Sequence, residues 1–124
     1  MIELRRLLSG RLTGVLPNVF TDDILITNGC MEAVALALNL LVKPGDVVAV
    51  ESPTHFGFLH LLKKMGIHAV GVPTDPLYGV QPSSLASIIR RYDVKACLLI
   101  PNFHNPLGAL VPEENKKEII ELTN

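Results

Sequence analysis

Residues 47–73, "VVAVESPTHFGFLHLLKKMGIHAVGVP", decide the fold. An apolar run, "VVAVES" (47–52), leads to Phe58, Leu61, Leu62 and Met65 at the helical spacing i, i+3, i+4, i+7, and then to a second apolar run, "HAVGVP" (68–73). The runs are near-continuous in apolar residues and do not alternate with polar ones, which marks strands covered on both faces. Two such strands joined by a helix make a parallel β-α-β unit with a right-handed crossover.

The same grammar extends in both directions. "ILIT" (24–27) and "ACLLIP" (96–101) read as further strands, while Met31, Val34, Ala35 and Leu38, and again Leu85, Ile88, Ile89 and Tyr92, repeat the helical spacing. Glycines in "KPGD" (43–46) and "MGI" (65–67) end helices, and Pro112 followed by Glu113 and Glu114 begins one. A short helix is expected over about 2–8, with 9–22 as a connector rich in turn formers. The expected order is β-α-β-α-β-α-β-α: an α/β fold, a three-layer parallel sheet with helices on both faces.

The chain has 124 residues, 48% hydrophobic and 19% charged, which fits one folded domain with a real core. A net charge of −1, with basic residues scattered in pairs between acids, offers no stripe for nucleic acid. The apolar runs fall well short of the ~20 residues of a membrane helix. "MIELRRLLSG" (1–10) lacks the pattern of a signal peptide, so a cytoplasmic protein is expected. Cys30 and Cys97 are far apart and without ligand-like spacing, hence read as reduced thiols, and no metal site is expected.

In open parallel sheets, ligands bind beyond the carboxyl ends of the strands. Three stretches end there. In "TNGCMEA" (27–33) the chain turns at Asn28-Gly29 into a helix, so the free N–H groups of Gly29, Cys30 and Met31 can seat a phosphate; a plain turn with glycine chosen for its torsion angles fits equally. In "ESPTHFGF" (51–58) a strand ends at Glu51 and presents His55 and Phe56, one of which could stack on a planar ligand; Phe56 reads as core just as well, and His55 as a solvated ring. In "LIPNFHNPLG" (99–108), Asn102, His104 and Asn105 could bond a ligand, or Asn105 could simply cap the turn set by Pro106 and Gly108. Dinucleotide, nucleoside-triphosphate, zinc-protease and serine-hydrolase motifs are absent.

Taken in order, "DDILITNGCMEAVALALNLLVKPGDVVAVESPTHFGFL" (22–59), "VPTDPLYGV" (72–80) and "IPNFHNPLG" (100–108) resemble the aminotransferase-like domain of fold type I pyridoxal-phosphate proteins. The resemblance is greatest to the GntR/MocR-type regulators, which carry such a domain behind a winged-helix DNA-binding domain. It implies that residues 1–124 are part of the large domain, with 1–21 an N-terminal helix and connector and 22–124 the β-α repeats. It implies pyridoxal 5'-phosphate as cofactor, with Gly29, Cys30 and Met31 in the loop that holds its phosphate. His55 matches the ring that stacks on the pyridine, and Asn105 the asparagine that hydrogen-bonds the phenolic oxygen. None of Lys43, Lys63, Lys64, Lys95, Lys116 and Lys117 matches the family's Schiff-base lysine, so no catalytic residue is assigned and no transamination is expected from these residues. The resemblance also implies an amino-acid or amine ligand, a homodimer, no membrane, and DNA contact only through a separate N-terminal domain; the alternative is part of a true amino-acid aminotransferase. The family's strand order separates "ILIT" from the other three strands, so this segment is expected to relocate or to pair with another copy.

Overall fold

The computed structural model describes residues 1–16 and 18–123. The chain divides into two compact units, residues 1–34 and 35–124.

In the first unit, helix α1 (Ile2–Leu12) runs a turn further than its apolar pattern suggests. Its Arg5 reaches the single 3-10 turn at Thr21–Asp23, donating from Nε to the Thr21 carbonyl at 2.8 Å and from Nη2 to Asp22 at 3.0 Å. The turn is closed by the Phe20 N–H on the Asp23 carboxylate at 2.8 Å. "ILIT" (24–27) is not a strand, which corrects the expectation: it forms no ladder among the described residues, and Leu25 is 75% exposed. A strand exists only through its neighbours' N–H and C=O groups, so β-prone residues without neighbours stay unpaired. Helix α2 (Cys30–Leu41) follows, its residues from Ala35 onward belonging to the second unit.

The second unit is built on β1 (Val47–Ser52), β2 (His68–Asp75), β3 (Gly79–Val80) and β4 (Val94–Leu98), arranged β3-β2-β1-β4. Pairing of β1 with β2 and with β4 is parallel, as the continuous apolar runs require. The sheet is nevertheless mixed, not all-parallel, because β3 turns back antiparallel onto β2 through Thr74–Val80 and Asp75–Gly79. The cause is local: the Asp75 carboxylate accepts the N–H groups of Leu77 and Tyr78, both at 2.8 Å, and folds the chain into a side-chain-templated turn. At its far end, β4 leaves the ladder before "IP", since Pro101 has no N–H to give and the Ile100 N–H is taken by a side chain of β1.

Helix α3 (Phe56–Lys64) connects β1 to β2 and closes with Ile67 N–H on the Leu62 carbonyl at 2.9 Å and Gly66 N–H on Lys63 at 3.1 Å. Helix α5 (Glu113–Thr123) opens with Glu113 and Glu114 after Pro112, as anticipated, and α4 (Pro82–Arg91) also carries a proline in its first turn. One core joins Ala49 and Val72 of the sheet to Val80, Leu85, Val111 and Ile119. Val48 and Val50 point to the other face of β1 and are buried too. The remaining buried helix side chains are Leu38 of α2, Phe58 and Leu62 of α3, and Pro82 of α4.

Candidate functional site

β1 and β4 are parallel neighbours, so the segments that follow them emerge at one edge of the sheet. After β1, His55 sits half-buried immediately before α3, with its ring 4.9 Å from that of Phe56 and 5.4 Å, edge-on, from that of Phe58. The helix turns Phe58 into the core and leaves Phe56 70% exposed, so Phe56 is not core. A packed aromatic edge holds the His55 ring in one orientation.

After β4 comes a loop closed by Val111 N–H on the Pro101 carbonyl at 2.9 Å and His104 N–H on the Ala109 carbonyl at 3.0 Å. Asn105 is exposed, and its side chain has no hydrogen-bond partner among the described residues. It therefore does not cap the turn. That task falls to His104, whose Nδ1 accepts the Leu107 N–H at 3.3 Å and whose carbonyl accepts the Gly108 N–H. Of the three polar residues singled out in this stretch, Asn102 and Asn105 are exposed and His104 is buried.

His104 meets a residue that sequence patterning treated only as the end of a strand. Glu51 lies in β1, its side chain wholly buried, with Oε2 at 3.2 Å from His104 Nε2 and accepting the Ile100 N–H at 2.7 Å. The Nε2 contact is close without being aligned as a hydrogen bond, and Glu51 Oε1 has no partner among the described residues. Burial pushes the Glu51 carboxyl up to about 7, against the opposing pull of the Ile100 N–H. Desolvation likewise holds the His104 imidazole below its ordinary value. The only sequence signal was a carboxylate at the close of an apolar run, and nothing in periodicity pairs it with a histidine beyond β4.

In the first unit, Gly29 has φ +119° and α2 begins directly after it. Among the described residues the N–H groups of Gly29, Cys30 and Met31 have no acceptor, and a Cβ at Gly29 would meet nothing within 4 Å. The side chains of Cys30 and Met31 are exposed, which leaves backbone donors as the polar groups here. Glu32, an acid in the same first turn, is folded back so that its carboxylate accepts the Asn28 N–H and the Asn28 side-chain amide. Those bonds hold its carboxyl below the usual range, the backbone bond most. The result is an open helix N-terminus suited to an anion.

Lys95 lies near the start of β4, at the edge opposite Asn105, with its ammonium on Asp93 at 2.8 Å. That contact raises its affinity for the proton. Among the described residues no three His, Cys, Asp or Glu side chains converge as metal ligands.

The fold is an α/β domain whose parallel strands end in polar groups at one edge, the place where ligands bind in open α/β sheets generally. The sequence profile of aminotransferase class I and II matches residues 3–124, and the chain belongs to that family. Over 104 residues it is 40% identical to the uncharacterised HTH-type transcriptional regulator YjiR of Escherichia coli K12, spanning 84% of this chain and 22% of that protein. It is 32% identical over 117 residues to the mitochondrial kynurenine/alpha-aminoadipate aminotransferase of Mus musculus, spanning 86% of this chain and 27% of that one. Among solved structures, an archaeal alanine:glyoxylate aminotransferase superposes with a TM-score of 0.89 at 30% identity, over 98% of this chain and 31% of its own. The chain thus spans about a quarter of the length of the curated relatives it matches.

Proposed function

We propose that this chain is part of the pyridoxal 5'-phosphate-binding, aminotransferase-like domain of a GntR/MocR-type transcriptional regulator, where it helps to sense an amino acid or amine. The observation that carries the cofactor reading is the Asn105 amide, which is exposed and without a partner among the described residues while the turn bearing it is held by a buried neighbour. Taken one by one, the residues suit the group's chemistry: an open helix N-terminus for a phosphate, an imidazole beside an aromatic edge for stacking, and, among the described residues, an unengaged amide for a phenolic oxygen. In this reading the N–H groups of Gly29, Cys30 and Met31 bind the phosphate, His55 lies against the pyridine, and Asn105 donates to the oxygen. When bound, pyridoxal phosphate withdraws electrons from an attached amino group, and the protein supplies position and electrostatics.

The regulator reading draws support from the identity to YjiR and from 36% identity over 124 residues to YdcR, both described as HTH-type regulators of E. coli K12. It carries with it a homodimer in the cytoplasm and DNA contact through a winged-helix domain outside residues 1–124. Among the described residues no helix is long and apolar enough to cross a membrane.

A second reading, a true amino-acid aminotransferase, is favoured by the likeness to the mouse enzyme and to a kynurenine aminotransferase of Pyrococcus horikoshii, solved with PMP and with KYN and KYA as substrates and products (TM-score 0.86, 28% identity). The two separate on the whole protein. The regulator reading expects DNA binding that changes when pyridoxal phosphate and amino acids are added, and a cofactor absorbance that Asn105→Ala weakens. Steady turnover of an amino-acid panel with no DNA binding overturns it in favour of the enzyme. The 124-residue chain alone is expected to show no transamination.

A further inference from the structure

The buried pair of Glu51 and His104 is expensive in this fold. In register across β1 and β2, Glu51 stands opposite Val72, a core residue, so its carboxyl occupies a place where an apolar side chain would cost less. What the carboxyl gains there is geometric. Oε2 takes the Ile100 N–H, which ties β1 to the exit of β4, and lies against His104 Nε2 at the foot of the next loop. Because Nδ1 of His104 accepts the Leu107 N–H, the neutral ring must carry its proton on Nε2, facing Glu51. His104 is also held through its own N–H and carbonyl, by Ala109 and Gly108. The next residue is Asn105.

We propose that Glu51 and His104 are positioning residues for Asn105: the carboxyl orients the imidazole, the imidazole braces the 104–108 turn, and the turn presents the Asn105 amide at the carboxyl edge of the sheet. The role for Asn105 itself rests on the cofactor reading above; the bracing of the turn does not.

The test uses three variants and the unmodified chain. In the unmodified chain, nitrogen NMR is expected to show His104 as the neutral Nε2–H tautomer between pH 6 and 8; an Nδ1–H tautomer or a charged ring overturns the proposal without any substitution. Glu51→Leu keeps apolar packing and removes the acceptor, so amide exchange at Leu107 and Gly108 should accelerate at least tenfold while β1 and α4 amides keep their rates. Glu51→Gln, which retains an acceptor for Ile100, should stay within about threefold of the unmodified chain. If Glu51→Leu leaves the turn as protected as before, the proposal fails.

In the whole protein, titration with pyridoxal 5'-phosphate should weaken about tenfold for Glu51→Leu and for Asn105→Ala, and little for Glu51→Gln. Should Asn105→Ala bind normally, the cofactor role of Asn105 fails, while faster exchange still upholds the bracing. Should Asn105→Ala weaken binding and Glu51→Leu loosen the turn without weakening it, the positioning role is overturned.

Discussion

"ILIT" (24–27) and "VVAV" (47–50) are tetrapeptides of nearly the same character, yet the second forms a central strand with a partner on each side and the first forms no strand. Both have the β-branched, apolar residues that favour extended chain. The difference is supply: β1 has β2 and β4 to take its N–H and C=O groups, and Val48 and Val50 are buried. "ILIT" has none among the described residues, and Leu25 remains 75% exposed. Strand propensity is therefore a permission that tertiary neighbours accept or leave unused. The expectation that "ILIT" pairs with another copy stands as a proposal, because an unpaired apolar segment is a template for β-addition.

The sharpest way to break this comparison is to place a charge in each tetrapeptide. Val48→Asp buries an unpaired carboxylate and should cost more than about 4 kcal/mol, abolishing cooperative urea unfolding. Leu85→Ala, which empties a site of zero exposure beneath the sheet, should cost about 2–5 kcal/mol in the same measurement. A Leu85 variant as stable as the parent would mean that the core is not where the burial places it.

Glu51→Gln tests the polar exception within β1. The folded carboxyl titrates at about 7 against an ordinary 4.5, so the native state holds the extra proton between those values and stability falls as pH rises through them. Removing the carboxylate should therefore gain about 3 kcal/mol over the parent on going from about pH 4.5 to 7, with little difference at acid pH. His104 contributes the opposite slope: its folded value lies below 6.5, so stability is lost as pH falls beneath 6.5. In Glu51→Gln the opposing slope is removed, and stability should rise toward neutrality through His104 and the carboxyls held low, Glu32, Asp75 and Glu113.

Smaller effects separate two glycines of positive φ. At Gly79 a Cβ would sit 2.5 Å from Val111 Cγ2 in the core, so Gly79→Ala should cost about 2 kcal/mol. At Gly29 the space is open, and Gly29→Ala should cost only the backbone strain, about 1 kcal/mol, by thermal melting. Least of all, Leu25→Asp should change the stability of this chain by under about 0.5 kcal/mol; a large loss there would reveal partners for "ILIT".

The helices and the three parallel strands were legible because the helical period and the continuous apolar runs are both local and strong. The boundary errors have local causes as well: α1 runs past its apolar residues, and β4 stops early where Ile100 gives its N–H to Glu51. β3 escaped notice because two residues are too few for any period, although Asp75 ahead of "PLYG" carried the turn chemistry. At the candidate site, motif order points to Gly29, His55 and Asn105 as candidates, whereas nothing in it marks the neighbouring His104 as the buried residue that accepts the Leu107 N–H within its own turn. Hydrophobic pattern says that a residue is polar at a strand's end; it does not say which polar group waits across the sheet.

By itself, then, the sequence determined the α/β class, the parallel β-α-β unit over 47–73, the ends of α2 and α3, the start of α5 and the family. Each of these follows from period, capping residues or motif order within a few tens of residues. Only the tertiary structure decided that "ILIT" stays unpaired among the described residues, that β3 makes the sheet mixed, and that Glu51 and His104 meet across 52 intervening positions. Those outcomes depend on which groups are left to pair once the core has closed, and pairing across a sheet is a property of neighbours in space, not of neighbours in the chain.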